Sequence, residues 1–332
     1  MQKIDTTRLQ GLARAYCQSA VLYAAIDLQL FTHVANGSDT EARLAIALGI
    51  PPLQVERLVT AALAMKLLET DGATLRNAPD TARFLVQGES GYAADWLTFT
   101  RGDVPNWFRL TEFLKEPLRP STLGLFETQT VEQARQYHAA TYSIGTGAAR
   151  RFVRSVDLSK RCKMLDLGGG TGAYSITAVQ THPHLRAVVL DLPPVTEVTK
   201  EYISKAGVED RVTVLPGDFT RTPFPDDVDV VLMASNLPLY NEAVIGDIVR
   251  KAYRALLPGG EFHLLGEMLD DDRSGPIDAA MWGVNEALSR SEGKCHTISQ
   301  CVGYLKDAGF TALRHDVFVP GVLHQVTGTK VE

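Results

Sequence analysis

Leu165 to Gly172 read LDLGGGTG: an apolar run stops at an acid, a leucine and a cluster of glycines. A short apolar run ending in glycines is the mark of a buried strand entering a tight turn. The helical segment YSITAVQTHP follows it directly. Strand, glycine turn and helix in that order commit the surrounding chain to a βα unit, and the grammar continues. RAVVLDL, VTVLPGDF, DVDVVLMAS and EFHLLGEML read as further strands, with PVTEVTKEYISKAG and EAVIGDIVRKAYRALLPGG as the helices between them. ISQCVGYLKDAG adds a helix, and TALRHDVFV and VLHQVTGTK two strands. The expectation is an α/β fold around a mostly parallel sheet, with ligands bound beyond the carboxyl ends of its strands.

Those strand ends carry acids. Asp166 lies at the first, with Gly168, Gly169, Gly170 and Gly172 in the turn after it. Asp191 ends the second, followed by Leu192, where a carboxylate can accept from both hydroxyls of a ribose. Gly217, Asp218 and Phe219 end the third, an acid for an adenine amino group beside a ring to stack on it. Ala234 and Ser235 close the fourth. The glycine spacing is GxGxG, not the GxGxxG that cradles a pyrophosphate. Adenosine without a required diphosphate describes S-adenosylmethionine, with Asp166 near its amino-acid portion. A plain tight turn would leave acids at three successive strand ends unexplained.

Upstream, GLARAYCQSAVLYAAIDLQLFTHVA is apolar enough for a core helix or a subunit interface. SDTEARLAIAL offers Ser38 and Asp39 as caps and stops at Gly49, PPLQVERLVTAALAMKLLET opens on two prolines, and DGATLRNA reads as a turn with a strand pair. Helices followed by a small ribbon form a winged-helix pattern. LVTAALAMKLLE lacks the Arg and Lys of a DNA-reading helix, and a net charge of −6 argues against nucleic acid and against an anionic membrane surface. No apolar run approaches the ~20 residues of a membrane helix. The four cysteines form no CxxC pair, so neither a zinc site nor a disulfide framework is indicated, and a reduced, cytoplasmic protein is expected.

With these motifs in order, the chain resembles the class I small-molecule methyltransferases of the acetylserotonin and plant-phenol O-methyltransferase type. AAIDLQLFTHVANG, LAIALGIPPLQVERLVTAALAMKLLE and RFLV resemble that family's winged-helix dimerisation domain; LDLGGGTG, DLPPV, GDF, ASN, ALLPGG, GK and DAGF follow its catalytic domain. The resemblance implies a Rossmann-like S-adenosylmethionine domain over residues 158–332, a helical dimerisation domain over 1–90, and a helical linker and pocket segment over 91–157. It also implies a homodimer whose N-terminal helices help close the partner's pocket.

The chain departs from the family where the chemistry happens. Phenol-methylating members have a His-Asp pair just after Ser-Asn; here the segment is SNLPLYNE, with no histidine between Asn236 and Glu242. Glu267 retains one supporting acid, and Cys295, beside His296, replaces the other. A phenol of pKa about 10 needs a base at neutral pH, and general bases contribute ~10²–10⁴-fold. A thioether sulfur has no proton to lose and needs alignment alone. The expectation is therefore S-methylation of a thioether acid such as 4-methylthio-2-hydroxybutyrate. Arg150 and Arg151 would hold its carboxylate, and Tyr142 and Tyr240 would favour the sulfonium product; a solvated helix face is the plainer reading of the two arginines. Glu267, Tyr142 and Tyr240 are the candidate catalytic residues, and Trp107, Tyr142, Met281 and Asn285 candidates to line the substrate side. The alternatives are an O- or C-methyltransferase with a relocated base, drawn from His138, His296 or Tyr142, and an S-adenosylmethionine-binding protein that rearranges its substrate without methylating it.

Overall fold

A computed structural model describes residues 4–119, 126 and 128–331. The chain divides into two compact units, Met1–Val104 and Pro105–Glu332. The segment 91–157 is thus shared between them.

The first unit contains α1 (Thr7–Asp27), α2 (Leu30–Ala35), α3 (Glu41–Leu48) and α4 (Pro52–Ala64). The short antiparallel ribbon β1 (Leu68–Thr70) and β2 (Leu75–Asn77) follows, then α5 (Pro79–Phe84) and α6 (Ala94–Thr100). The cap of α3 is Thr40, whose hydroxyl accepts from Arg43 N–H, not Ser38 or Asp39. Asp39 pairs instead with the Arg43 guanidinium. Gly49 ends the helix in the left-handed conformation that favours glycine. Leu30, Phe31, Leu44, Val55, Val59 and Leu68 form this unit's core. Helices and ribbon have the winged-helix arrangement. Toward its start α1 leaves Leu9, Leu12 and Tyr16 exposed at 56, 59 and 56%.

The second unit begins with α7 (Val104–Trp107), α8 (Leu110–Phe113) and the long α9 (Val131–Ser155), whose Thr130 and Gln133 form a capping box. Alternation then sets in: β3 (Lys163–Leu167), α10 (Ala173–Thr181), β4 (Arg186–Asp191), α11 (Pro193–Ala206), β5 (Val212–Pro216), β6 (Val228–Ala234), α12 (Glu242–Ala255) and β7 (Leu256–Gly266). A two-stranded pair, β8 (Met268–Leu269) and β9 (His296–Thr297), flanks α13 (Ile277–Ser289). The unit closes with α14 (Ile298–Asp307), β10 (Thr311–Val319) and β11 (Leu323–Thr329).

The main sheet runs β10-β11-β7-β6-β3-β4-β5. Five strands are parallel, and β11 and β10 add an antiparallel edge. The chain builds outward from β3 through β4 to β5, then returns to β3's other side with β6 and β7. The reversal opens a crevice at the carboxyl ends of β3 and β6, where such sheets bind ligands. Alternation along the strands divides two cores. Leu165, Leu167, Val231, Met233, Phe262 and Leu264 face one side, and Met164, Val230, Leu232 and Leu265 the other. Asp166 lies between Leu165 and Leu167 and so points with Met164 toward α10.

Phe262 is fully buried, with Phe310 stacked on it at 5.9 Å. Phe262→Ala should cost about 3–5 kcal/mol of unfolding free energy. Urea denaturation giving under about 1 kcal/mol would mean that this core does not carry the sheet.

Candidate active site

The turn after β3 is held from three directions. Gly168 N–H donates to Leu190 O at 2.8 Å, tying the turn to β4. Gly170 N–H donates to Asp191 Oδ2 at 2.8 Å, and its carbonyl accepts from Thr199 Oγ1 at 2.6 Å. The amide of Asn236, after β6, donates to Ala234 O at 2.9 Å and Leu167 O at 3.3 Å across the crevice. Gly168, Gly170 and Gly172 all have positive φ, 64°, 57° and 75°, which explains glycine there. Space adds a second demand, from the protein itself. A methyl at Gly168 would stand 2.6 Å from Asn236 Nδ2, and one at Gly170 2.8 Å from His138 Cε1. Gly172 caps α10 without a side-chain acceptor; the Asp166 carboxylate takes the Ser175 N–H, and the N–H groups of the helix before it have no cap.

Asp166 is buried beneath this turn and accepts from Ser175 Oγ at 2.8 Å. Burial, with repulsion from Asp191, pushes its pKa up to about 7. Asp191, after β4, spends both oxygens on backbone: Gly170 N–H at one and Leu192 N–H, at 2.7 Å, at the other. Burial still lifts it to about 6, against the lowering by those two donors. Each oxygen keeps a lone pair, and a buried carboxylate in that condition is stabilised by further neutral donors such as ribose hydroxyls. Gly217 N–H donates to Asp191 O at 2.8 Å, which sets the next turn. Asp218 Oδ1 is taken by Thr220 N–H and Oγ1 at 2.8 and 2.7 Å, leaving Oδ2 with the exposed Arg221 at 3.7 Å. Phe219 is buried, edge-on to Tyr240 at 5.5 Å. The acids and ring therefore stand in the order that an adenosyl ligand requires: amino-acid end over β3, ribose at β4, base at β5.

Glu267 follows β7 at the same end of the sheet. Only 7% of it is exposed, and no side chain bonds it among the described residues; its own backbone N–H is the donor acting on it. Burial, with Asp278 nearby, pushes it up to about 7. Glu267 in turn acts on Tyr137 and Tyr174, and Tyr137, pushed up to about 12 by burial, also feels Asp191. In the histidine-free segment after Asn236, Leu237 and Pro238 are both buried, and Leu237 lies in the apolar core so close to Gly266 that a methyl there would stand 2.8 Å from its Cβ. Cys295 hydrogen-bonds through Sγ to Ala279 O, and burial first, then Glu267, Glu286 and Asp278, push its thiol up to about 11. It is neither acid nor base at neutral pH.

Several expected residues stand elsewhere. Tyr142 packs on Tyr202 of α11 at 4.6 Å, which turns it to the α9–α11 contact. Tyr240 is buried behind Phe219, and burial keeps its phenol protonated. Arg150 and Arg151 are exposed, and Arg151 lies over Phe318 at 5.6 Å, so neither is a buried carboxylate clamp. His296 spends both ring nitrogens, on Tyr304 Oη at 2.8 Å and Tyr240 O at 2.9 Å, and is not available as a base. Trp107 and Asn285 are partly exposed, and Met281 is 44% exposed. Sequence reasoning passed over Tyr137, Tyr174, Asp278 and Glu286. Asp278, Trp282 and Glu286 recur at four-residue steps on α13, a pattern that marks one helix face. Among the described residues, no group of three or more His, Cys, Asp or Glu is placed to hold a metal ion.

Residues 120–311 match the family model for the O-methyltransferase domain, and residues 10–88 the O-methyltransferase dimerisation domain. The 3-hydroxy-5-methyl-1-naphthoate 3-O-methyltransferase of Streptomyces sahachiroi is 32% identical over 331 residues, 98% of this chain and 95% of that protein. The tetracenomycin polyketide synthesis 8-O-methyl transferase TcmO of Streptomyces glaucescens is 31% identical over 308 residues, 91% of each chain. Among solved structures, human N-acetylserotonin methyltransferase in complex with SAM superposes with a TM-score of 0.79 at 23% identity, covering 100% of this chain and 99% of that one.

Asp191→Asn keeps the shape of the side chain but gives one backbone N–H another donor to face. Its affinity for S-adenosylhomocysteine, read by calorimetry, should fall by about 1–3 kcal/mol. Unchanged affinity would take Asp191 out of the site.

Proposed function

The chain belongs to the O-methyltransferase family, and from that premise we propose that it is an S-adenosylmethionine-dependent O-methyltransferase of an aromatic or enolic small molecule, with Glu267 as its proton acceptor. The observation that carries this is Glu267 itself, a buried carboxyl with no side-chain partner among the described residues and a pKa near 7, next to Gly266, against which the buried Leu237 of the histidine-free SNLPLYNE segment packs. A base is most useful when its pKa lies near the working pH, and burial has brought a glutamate there.

The cofactor supplies an electrophilic methyl carbon on a sulfonium. The Gly168–Gly172 turn and the uncapped N-terminus of α10 receive its amino-acid end; Asp191 receives the ribose, and Asp218 and Phe219 the adenine. Glu267 would accept the proton that the substrate hydroxyl gives up during methyl transfer, which the bound cofactor would supply. Tyr137 and Tyr174, both buried enough to remain protonated, lie within electrostatic reach of that carboxylate. The expected thioether acid loses its support here. Its carboxylate anchor, Arg150 and Arg151, is solvated, and Asp278 and Glu286 add negative charge around Cys295 near Glu267. The names of the two Streptomyces relatives, both hydroxyl methyltransferases, agree with an oxygen acceptor.

Glu267 is protonated below its folded pKa, so the single-turnover rate should fall tenfold per pH unit below about pH 7 and level off above it. Glu267→Gln should lower that rate by about 10²–10⁴-fold and remove the acidic limb. A variant within a few-fold of wild type, with the limb intact, would return the chemistry to a nucleophile with no proton to lose.

The homodimer belongs to the same proposal. Leu9, Leu12 and Tyr16 make an exposed apolar stripe at helical spacing within the segment matched as a dimerisation domain. Light scattering at micromolar concentration should give twice the chain mass, and Leu12→Glu with Tyr16→Glu should shift it toward the monomer. A wild-type monomer would refute the assembly.

A further inference from the structure

His138 stands on α9, one residue beyond Tyr137, and the two rings meet edge-on at 5.1 Å. Successive helical residues are about 100° apart. Tyr137 takes the side that Asp191 and Glu267 act on, while His138 turns to the glycine turn. A methyl at Gly170 would stand 3.0 Å from His138 Nδ1 as well as 2.8 Å from Cε1. His138 is 9% exposed, and neither ring nitrogen has a hydrogen-bond partner among the described residues. Its nitrogens are not among the sealed, unpartnered polar atoms of the fold, so they keep surface toward the space beside the glycine turn.

The charge of that turn says what the imidazole is for. Asp166 and Asp191 lie under it, and no basic side chain acts on either carboxyl. Two acids suit the ammonium and sulfonium of the cofactor. They are hostile to its carboxylate, which needs donors. The turn offers the uncapped N–H groups of α10. It offers one side chain more. We infer that His138 is a cofactor-binding residue that donates a ring N–H to the carboxylate of the cofactor's amino-acid end, across the Gly170 turn. A neutral imidazole carries one N–H and one acceptor nitrogen, and burial holds His138 in that form at neutral pH by pushing its pKa down to about 4.

This inference rests on the S-adenosylmethionine reading, and two ligands separate it from that reading. S-adenosylhomocysteine has the amino-acid end; 5′-methylthioadenosine has the same adenosine and sulfur without it. By calorimetry on the full chain, His138→Phe should lose about tenfold or more in affinity for S-adenosylhomocysteine, the worth of a hydrogen bond to a charged group. Its affinity for methylthioadenosine should stay within about twofold. His138→Gln, whose amide still donates, should recover part of the loss. Equal losses for both ligands would show that the imidazole only shapes the turn, and no loss for either would show that it does not touch the cofactor; each overturns the inference while leaving the cofactor assignment standing. Wild type that binds neither ligand would overturn both.

Discussion

The hydrogen bond from Gly170 N–H to Asp191 joins the turn of one strand to the last residue of the next. Everything at this end of the sheet refers to it. It fixes the left-handed path of Gly168 and Gly170, and with it the start of α10. It also fixes the Asp191 carboxylate. Through Gly217 N–H, which donates to Asp191 O, it sets the direction of the chain toward Asp218 and Phe219. The arrangement has a cost. Asp191 and Asp166 are buried near one another with nothing basic beside them, and both carboxyls bind protons more tightly than in water. A fold that keeps such groups apart from cations has reserved them for a positively charged ligand.

The same physics acts across the sheet, at the end of β7. Burial without a partner raises Glu267 to about 7, which makes a carboxylate as basic as an imidazole. A histidine that would ordinarily take the proton is therefore replaceable by removing water from an acid. Cys295 and His296 show the converse. Each is buried too, but each has its polar atoms spent on a neighbour, and neither can take part. Burial alone does not make a catalytic group; burial with an unspent lone pair does.

The fold and the cofactor side were legible because their signals are local. LDLGGGTG, LDLPP and PGDF each hold a strand end, its turn and its acid within a few residues, and the ribbon of the first unit is written in one short segment. The cap at Thr40 was misread as Ser38 or Asp39 because three adjacent residues can all cap, and only the backbone path chooses. The substrate side was less legible because it is assembled over distance. His138 reaches the turn from some thirty residues upstream. Tyr142, one helical turn further along α9, packs on Tyr202 instead. An aromatic-rich helix does not announce which of its rings face the ligand. Arg150 and Arg151 were offered a role by their charge, and the plainer reading, a solvated face, is the one the structure has.

Leu237 limits what this rim of the site can hold. It is sealed in apolar surroundings and rests against Gly266, where even one added carbon would collide. A histidine placed at this position would bring two polar nitrogens into a space shaped for a branched alkyl group, at a cost in unpaired hydrogen bonds. The rim is therefore intolerant in two ways, to added volume at Gly266 and to added polarity at Leu237, and a new polar group could be seated there only together with changes in the side chains that surround it.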